Sequence, residues 1–385
     1  MQKYLDQLIT WRRHLHAHPE LSFEEYETSA YIVSEMSKLN NVKRIERLTP
    51  TSAVVVFETG RAGAKIGLRA DIDALPIQEE RDDLPFKSKK DGIMHACGHD
   101  GHTAVLMATC AYINDHLDEF SGEIHAIFQH AEEKLPGGAQ EMVKTGYFND
   151  FDFIYGHHLF STSDTGIIDI KDGAASANTD AYNIIIHGKG GHAAMPDQTI
   201  DPVIIAAQFI TLLQSIVARR VAPHDAMVIS NTMIHAGTAQ NIIPDEARLT
   251  GSVRTTSQAH REFARNAIEN LIRTLCENAG ARYTLNYEIG YSVTWNNPEK
   301  TQIVRELAIK RFGAENVVSL PAMMGGEDFS AFGEVAPACY AFVGSGGNGF
   351  NYPHHHPKFG LDEESFINGL HMMLDVAKNS HLFKA

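Results

Sequence analysis

A chain of 385 residues, 43% hydrophobic and 21% charged, has room for two or three domains with sizeable cores. Its formal net charge of −15 argues against a nucleic-acid surface, because phosphate binding needs a basic face. Cys97, Cys110, Cys276 and Cys339 fit no disulfide framework and no four-thiolate zinc pattern, which favours a reducing, cytoplasmic setting. The N-terminal MQKYLDQLITWRRHLHAHPE reads as neither a signal peptide nor an anchor. No other stretch reads as long and apolar enough to span a bilayer.

In chain order, the first clear helix is expected from Ser22, with Glu25 closing a capping box and the apolar period running towards Leu39. Strands are expected at 52–58 and 65–69, a helix at 101–118 entered from a Gly/His-rich turn, and strands at 124–128 and 153–155. This alternation predicts an α/β domain with a largely parallel sheet, whose ligands gather at the carboxyl ends of the strands. The middle of the chain changes pattern. A strand at 179–187 precedes a helix at 201–220, with Asp201 as cap and Pro202 in its first turn. Strands at 226–234 and 248–255, a helix at 257–278 stopped by Gly280, and a strand at 282–288 follow. The order β-α-β-β-α-β is the ferredoxin-like α+β unit. The expected organisation is therefore 1–175 and 293–385 as the α/β domain, with 176–292 inserted. A helix at 298–312, a strand at 338–343 and a C-terminal helix from about Glu363 complete the chain.

Histidine stands out, with 21 copies, several of them clustered. In Met94-His-Ala-Cys-Gly-His-Asp-Gly-His102, Cys97 and His99 are placed to converge on a borderline-soft metal such as Zn²⁺, and less ideally on Mn²⁺. The adjacent carboxylates Glu132 and Glu133 follow the strand at 124–128. Neighbouring side chains at a strand end project differently, so one can hold metal while the other serves as a base. Of His157 and His158, His157 is nearer the expected strand end at Tyr155 and is the expected ligand. Residues 353–363 hold three histidines in a proline-flanked loop, and Gly326 lies in a loop suited to close backbone approach. In the insert, Gly188-Lys-Gly-Gly-His192 presents one histidine that could donate to an oxyanion. Asn241 and Arg254 could orient an amide and pair with a carboxylate.

Together these motifs resemble the di-metal aminoacylase and carboxypeptidase family, in its branch of hippurate hydrolases and plant indole-acetyl-amino-acid hydrolases. The resemblance runs from Arg12-Arg-His-Leu-His-Ala-His-Pro-Glu-Leu-Ser22 through Leu68-Arg-Ala-Asp-Ile-Asp-Ala-Leu-Pro76, Glu132-Glu133, Gly190-Gly-His192, Asn241-Ile-Ile-Pro244 and Gly326-Glu-Asp-Phe329 to His355-His-Pro-Lys-Phe359. It implies Cys97, His99, Glu133, His157 and His355 as ligands of two divalent ions, Mn²⁺ or Zn²⁺ with Co²⁺ or Ni²⁺ as substitutes. It implies Glu132 as general base and Asp71 as the aspartate orienting a metal-bound histidine, with Arg69 where the wider family keeps a histidine. It implies His192 as an oxyanion-stabilising lid residue lent across a homodimer, and Asn241, Arg254 and Gly326 as substrate-binding positions. His130 and His356 depart from the family pattern. The implied reaction cleaves an N-acyl amino acid or a short peptide with a free carboxylate, in a cleft between the two domains. A two-metal phosphoesterase, or a non-catalytic metal-dependent binding protein, are the competing classes.

Overall fold

The computed structural model describes residues 1–384 and divides into two compact units. One comprises Met1–Ala175, Thr294–Pro321 and the residues from Asp328 onward; the other comprises Ser176–Val293 and Ala322–Glu327.

The first unit opens with α1 (Gln2–Ala17), which precedes the helix expected from the sequence. Tyr4, Leu8, Trp11 and Leu15 recur at helical spacing and form its buried stripe. Helix α2 (Tyr26–Met36) starts later than expected, and Glu25 at its N-cap makes no side-chain cap bond. The expected capping box is absent because its polar groups are engaged elsewhere: Ser22 Oγ donates to Asp73 Oδ2 at 2.7 Å, and Glu25 accepts from the Ala131 amide at 2.8 Å. There follow β1 (Arg44–Glu46), β2 (Ala53–Glu58), β3 (Lys65–Asp71), α3 (His99–Asp115), β4 (Glu123–Gln129), α4 (Gly138–Val143), β5 (Phe153–Asp164), β6 (Ile168–Asp169) and β7 (Gly173–Ala174). Strand β5 is 12 residues long, far beyond the three expected at 153–155, and this moves a ligand (below).

The second unit contains β8 (Asn178–His187), β9 (Gly191–His192), α5 (Pro202–Arg220), β10 (Met227–Ala236), β11 (Ile242–Ile243), β12 (Glu246–Thr255), α6 (Gln258–Ala279) and β13 (Arg282–Ile289). Its main sheet has the order β10-β12-β8-β13 with every pairing antiparallel, the ferredoxin-like arrangement. Asp201 caps α5 by accepting from Val203 N, and Ser257 caps α6 by accepting from His260 N. Gly280 ends α6 at φ 71°, a left-handed stop that costs glycine nothing. By length and composition alone α5 is apolar enough to cross a membrane, contrary to the sequence expectation. In this fold it instead buries Ile205, Phe209, Leu213 and Ile216 in the core of the second unit.

The chain returns through β14 (Trp295–Asn296), α7 (Pro298–Phe312), β15 (Val317–Val318), α8 (Ser330–Val335), β16 (Ala338–Gly346) and α9 (Phe366–Lys378). The large sheet has the order β1-β2-β4-β3-β5-β16-β6-β15. Its centre, β4-β3-β5-β16, is parallel, while β1, β2 and β6 pair antiparallel with their inner neighbours. Strand alternation divides the core. Val55 and Phe57 of β2 join the cluster built on α1, α3 and α9, whereas Val54 and Val56 join the cluster with α4 and α8. A sheet covered on both faces leaves its strand ends as the place for polar chemistry.

Candidate metal centre

At the carboxyl end of β3, Asp71 Oδ1 lies 2.6 Å from His102 Nδ1, and Asp71 Oδ2 accepts from Arg69 Nη1 at 2.8 Å. His102 Nε2 accepts from the Leu159 amide at 2.8 Å, so its Nδ1 carries the proton and donates to Asp71. Both nitrogens of His102 are thereby engaged. His99 is held differently: its Nδ1 lies 3.0 Å from Asp73 O and 3.2 Å from Asp73 Oδ1. The aspartate that hydrogen-bonds His99 is therefore Asp73, two residues beyond Asp71, and Asp71 orients His102 instead. Asp73 Oδ2 also accepts from the Glu133 amide at 3.0 Å, so one carboxylate positions two of the expected ligands.

Cys97 sits in the turn before α3, where Gly98 adopts φ 95°. Its Sγ lies 3.4 Å from His158 Nε2. His158 Nδ1 lies 2.9 Å from the Leu159 carbonyl, to which it donates, leaving Nε2 with a lone pair towards the thiol. This corrects the expectation for His157. Strand β5 continues through both histidines, and successive side chains on a strand face opposite ways. His157 points towards α9, where a Cβ on Gly369 would lie 2.9 Å from its Nε2. It is buried, neither ring nitrogen has a hydrogen-bond partner, and burial followed by the charge of His102 lowers it to about 3.

In the C-terminal loop, His355 adopts φ 65°, donates its amide to Ala96 O at 2.8 Å, and places Nε2 3.2 Å from Glu133 Oε1. His356 stacks on Tyr352 and accepts from the Lys358 amide. His354, not singled out from the sequence, lies with Cys97 and His158. Candidate ligand atoms fall into overlapping groups, among them Cys97, Glu133 and His355; His99, Glu132 and Glu133; Cys97, His158 and His354; and Asp71, His99 and His102. Within each, the atoms lie within 4.8 Å of one another.

The electrostatics fit divalent cations. Burial, then Glu133 and Glu132, push the Cys97 thiol well above its ordinary value, so a thiolate here requires a positive charge beside it. Burial alone would lower His99, but Asp71, Asp73 and Glu133 outweigh it and raise it to about 10. His99 Nε2 is buried without a hydrogen-bond partner, 3.9 Å from Glu133 Oε1. A thiol, imidazoles and carboxylates, held by further hydrogen bonds, form a donor set suited to Zn²⁺ or Mn²⁺.

Beneath this cluster, the buried Arg69 donates to Gln129 Oε1 at 2.7 Å, Asp71 Oδ2 at 2.8 Å and Asp328 Oδ1 at 3.0 Å. His130 lies between Thr49 Oγ1 and Glu141, at 3.3 and 3.1 Å, and anchors the loop after β4. Burial and the nearby Asp73 raise Glu25 to about 7.

In the second unit, β9 pairs with β11 and sets His192 opposite Ile242. Ala193 N donates to Asn241 O at 3.1 Å, so His192 and Asn241 lie together on one exposed two-stranded ribbon. Gly326 fits against Thr179, where a Cβ would lie 2.7 Å from Thr179 Cγ2. Arg254 is elsewhere: it pairs with Thr179 of β8, whereas His187, at the end of β8 from which the chain runs to β9, pairs with Glu246. At roughly 3.4 Å per residue, Arg254 lies about 25 Å along the sheet from the His192 end. Asn241 and Arg254 therefore lie at opposite ends of the strands of one chain.

A parallel-centred α/β sheet bearing a buried Cys/His/Glu cluster at its strand ends defines an α/β hydrolytic enzyme with a candidate metal centre. The chain belongs to Peptidase family M20/M25/M40, whose model matches residues 67–379. It is 44% identical over 292 residues to the N-acyl-L-amino acid amidohydrolase of Geobacillus stearothermophilus, covering 76% of this chain and 78% of that protein. It is 39% identical over 363 residues to thermostable carboxypeptidase 1 of Saccharolobus solfataricus, covering 93% and 91%. Among solved structures it resembles a Bacillus subtilis protein named a dinuclear metal-binding peptidase of the M20 family, with a TM-score of 0.86, 33% identity and 99% of each chain covered.

Proposed function

We propose that the chain is a cytoplasmic amidohydrolase, dependent on two divalent metal ions, that cleaves N-acyl amino acids into a carboxylate and a free amino acid. The observation that carries this reading is the overlap of ligand groups through Cys97 and Glu133, which offers adjoining places for a pair of cations. The proposed ligands are Cys97, His99, Glu133, His158 and His355. Ions held by these residues would supply Lewis-acid polarisation of the scissile carbonyl and a lowered pKa for water. Glu132, beside Glu133 and His99, takes the proton of the attacking water. It passes that proton to the leaving nitrogen as the C–N bond breaks and the C–O bond is complete. Asp73 and Asp71 fix the histidine rings, and Arg254 pairs with the substrate carboxylate.

His192 and Asn241 are proposed to act on the partner's substrate in a homodimer, His192 by donating to the oxyanion. Their separation from Arg254 along the sheet of one chain supports this division. A second reading, a metallo-carboxypeptidase, is favoured by the carboxypeptidase relative and uses the same groups.

The test is amino-acid release from N-acetyl-, N-benzoyl- and indole-acetyl-amino acids, with a dipeptide panel in parallel. The protein is stripped by chelator and reloaded separately with Mn²⁺ and Zn²⁺. Glu132→Gln is expected to keep its metals and lose roughly 10²–10⁴-fold in turnover. A variant of near-normal rate would remove Glu132 from the mechanism. No release of amino acid under any metal would overturn the function.

A further inference from the structure

Glu25 lies 106 residues from Ala131 in sequence, yet its side chain ends at the loop that carries the proposed base. Its carboxyl is fully buried. A single oxygen, Oε1, accepts both the Phe23 amide at 3.0 Å and the Ala131 amide at 2.8 Å. Ala131 immediately precedes Glu132. It also adopts φ 50°, a left-handed conformation that an L side chain takes only when its surroundings impose it. Strand β4 has ended at Gln129, so the sheet supplies no acceptor for the Ala131 amide. The carbonyl of Ala131 is fixed too, accepting from Gly138 N at 2.9 Å. Glycine is required at 138 because a Cβ there would lie 1.8 Å from His130 O. The turn before Glu132 is thus pinned from both sides of Ala131, the amide by the Glu25 side chain and the carbonyl by the Gly138 backbone.

The segment 20–25 has a second hold on the same loop. Ser22 Oγ donates to Asp73 Oδ2, which in turn accepts the Glu133 amide at 3.0 Å. Glu20 O accepts from the Ala74 amide at 2.8 Å. The amides of the two residues flanking Glu132 are therefore held by two carboxylates, Glu25 for Ala131 and Asp73 for Glu133. Only Asp73 also touches an expected metal ligand ring.

We infer that Glu25 is a positioning residue for Glu132: through the Ala131 amide it fixes the left-handed turn that aims the base, without touching metal or substrate. This rests on the amidohydrolase reading for its consequence on turnover, but not for the restraint itself. Because one oxygen accepts both amides, a glutamine carbonyl can replace it. An alanine offers no acceptor, and an aspartate keeps the charge but falls a methylene short. A misplacement of about 1 Å near reacting groups can cost on the order of 10²-fold in rate.

The experiment compares Glu25→Ala, Glu25→Asp and Glu25→Gln in the full-length, metal-loaded protein. Metal content, kcat and KM on an N-acyl amino acid, and backbone hydrogen exchange over residues 130–134 are measured. Glu25→Ala and Glu25→Asp are expected to lose roughly 10–100-fold in kcat, with KM within threefold, metal content unchanged and faster exchange in the loop. Glu25→Gln is expected to recover most of the lost turnover and the slow exchange. If Glu25→Ala does not fold, Glu25→Asp against Glu25→Gln carries the comparison. An Asp variant with wild-type kcat per folded molecule, or loop exchange unchanged while kcat falls, would overturn the inference. Wild-type protein inactive on every acyl amino acid and dipeptide would instead sink the functional reading, and hydrogen exchange would still decide the restraint.

Discussion

Replacing His157 by leucine should stabilise the protein and leave its metals in place. The ring is 1% exposed and neither nitrogen has a hydrogen-bond partner. Burial, then His102, lower it to about 3, so it is neutral at any working pH. Each unpaired buried polar atom costs about 1–3 kcal/mol. Leucine removes both, at the expense of a small void worth about 1 kcal/mol. A net gain of about 1–5 kcal/mol follows, equivalent to a Tm rise of roughly 1–6 °C at about 2.1 cal/mol/K of unfolding entropy per residue. The control is His158→Leu, which removes the imidazole 3.4 Å from Cys97 and should lose bound metal. Thermal unfolding of the reloaded proteins, with metal content by mass spectrometry, reads both. If His157→Leu lost metal while His158→Leu kept it, the assignment of faces on β5 would be refuted. If His157→Leu were destabilised by more than 1 kcal/mol, the unpaired-nitrogen argument would fail.

Arg69→Met leaves Asp71 and Asp328 buried without their shared cation; a loss of about 3–5 kcal/mol in denaturant unfolding is expected, and a change below 1 kcal/mol would contradict it. His16 lies 2.8 Å from Asp100 and 3.1 Å from Glu79. Burial lowers it, but the two carboxylates outweigh burial and raise it above its ordinary value of 6.5. A raised folded pKa means its contribution is complete below about 6.5 and is lost as pH rises through the folded value. The stability difference between wild type and His16→Gln should therefore shrink on the alkaline side, as thermal unfolding across pH 5–9 would read; a difference that grows with pH would reverse the sign of the argument.

The sequence carries the fold wherever periodicity is regular. The helix at Pro298–Phe312 and the caps Asp201 and Ser257 are legible because one strong local signal decides each. Helix α1 is missed because its stripe of Tyr4, Leu8, Trp11 and Leu15 is interleaved with arginines and histidines, two of which, Arg12 and His16, are themselves buried. Ser22 and Glu25 have the spacing of a capping box, but Ser22 turns to Asp73 and Glu25 is shared between the Phe23 and Ala131 amides, and no local pattern announces the distant partners. The choice between His157 and His158 depends on where β5 ends. A strand stopping at Tyr155 favours the first; one running to Asp164 turns the first inward and the second towards Cys97. Asp73 was hidden for a related reason. The motif Asp71-Ile-Asp73 contains both aspartates, and only the path of the chain beyond β3 decides which imidazole each one meets.

Strand β16 lies between β5 and β6, inside the large sheet, yet it is encoded after the whole second unit. During synthesis at roughly 5–20 residues per second, the edge of β5 waits about ten seconds or more for its neighbour. The second unit, whose strands pair with one another among the described residues, is complete before that neighbour leaves the ribosome. Order of translation thus runs opposite to order in space: the middle of the gene can finish folding first, and the ends close around the chemistry last. A chain terminated before Ala338 would present β5 as an open, apolar template for pairing with other molecules, so quality control of unfinished copies bears on this protein more than on one whose central strands are contiguous.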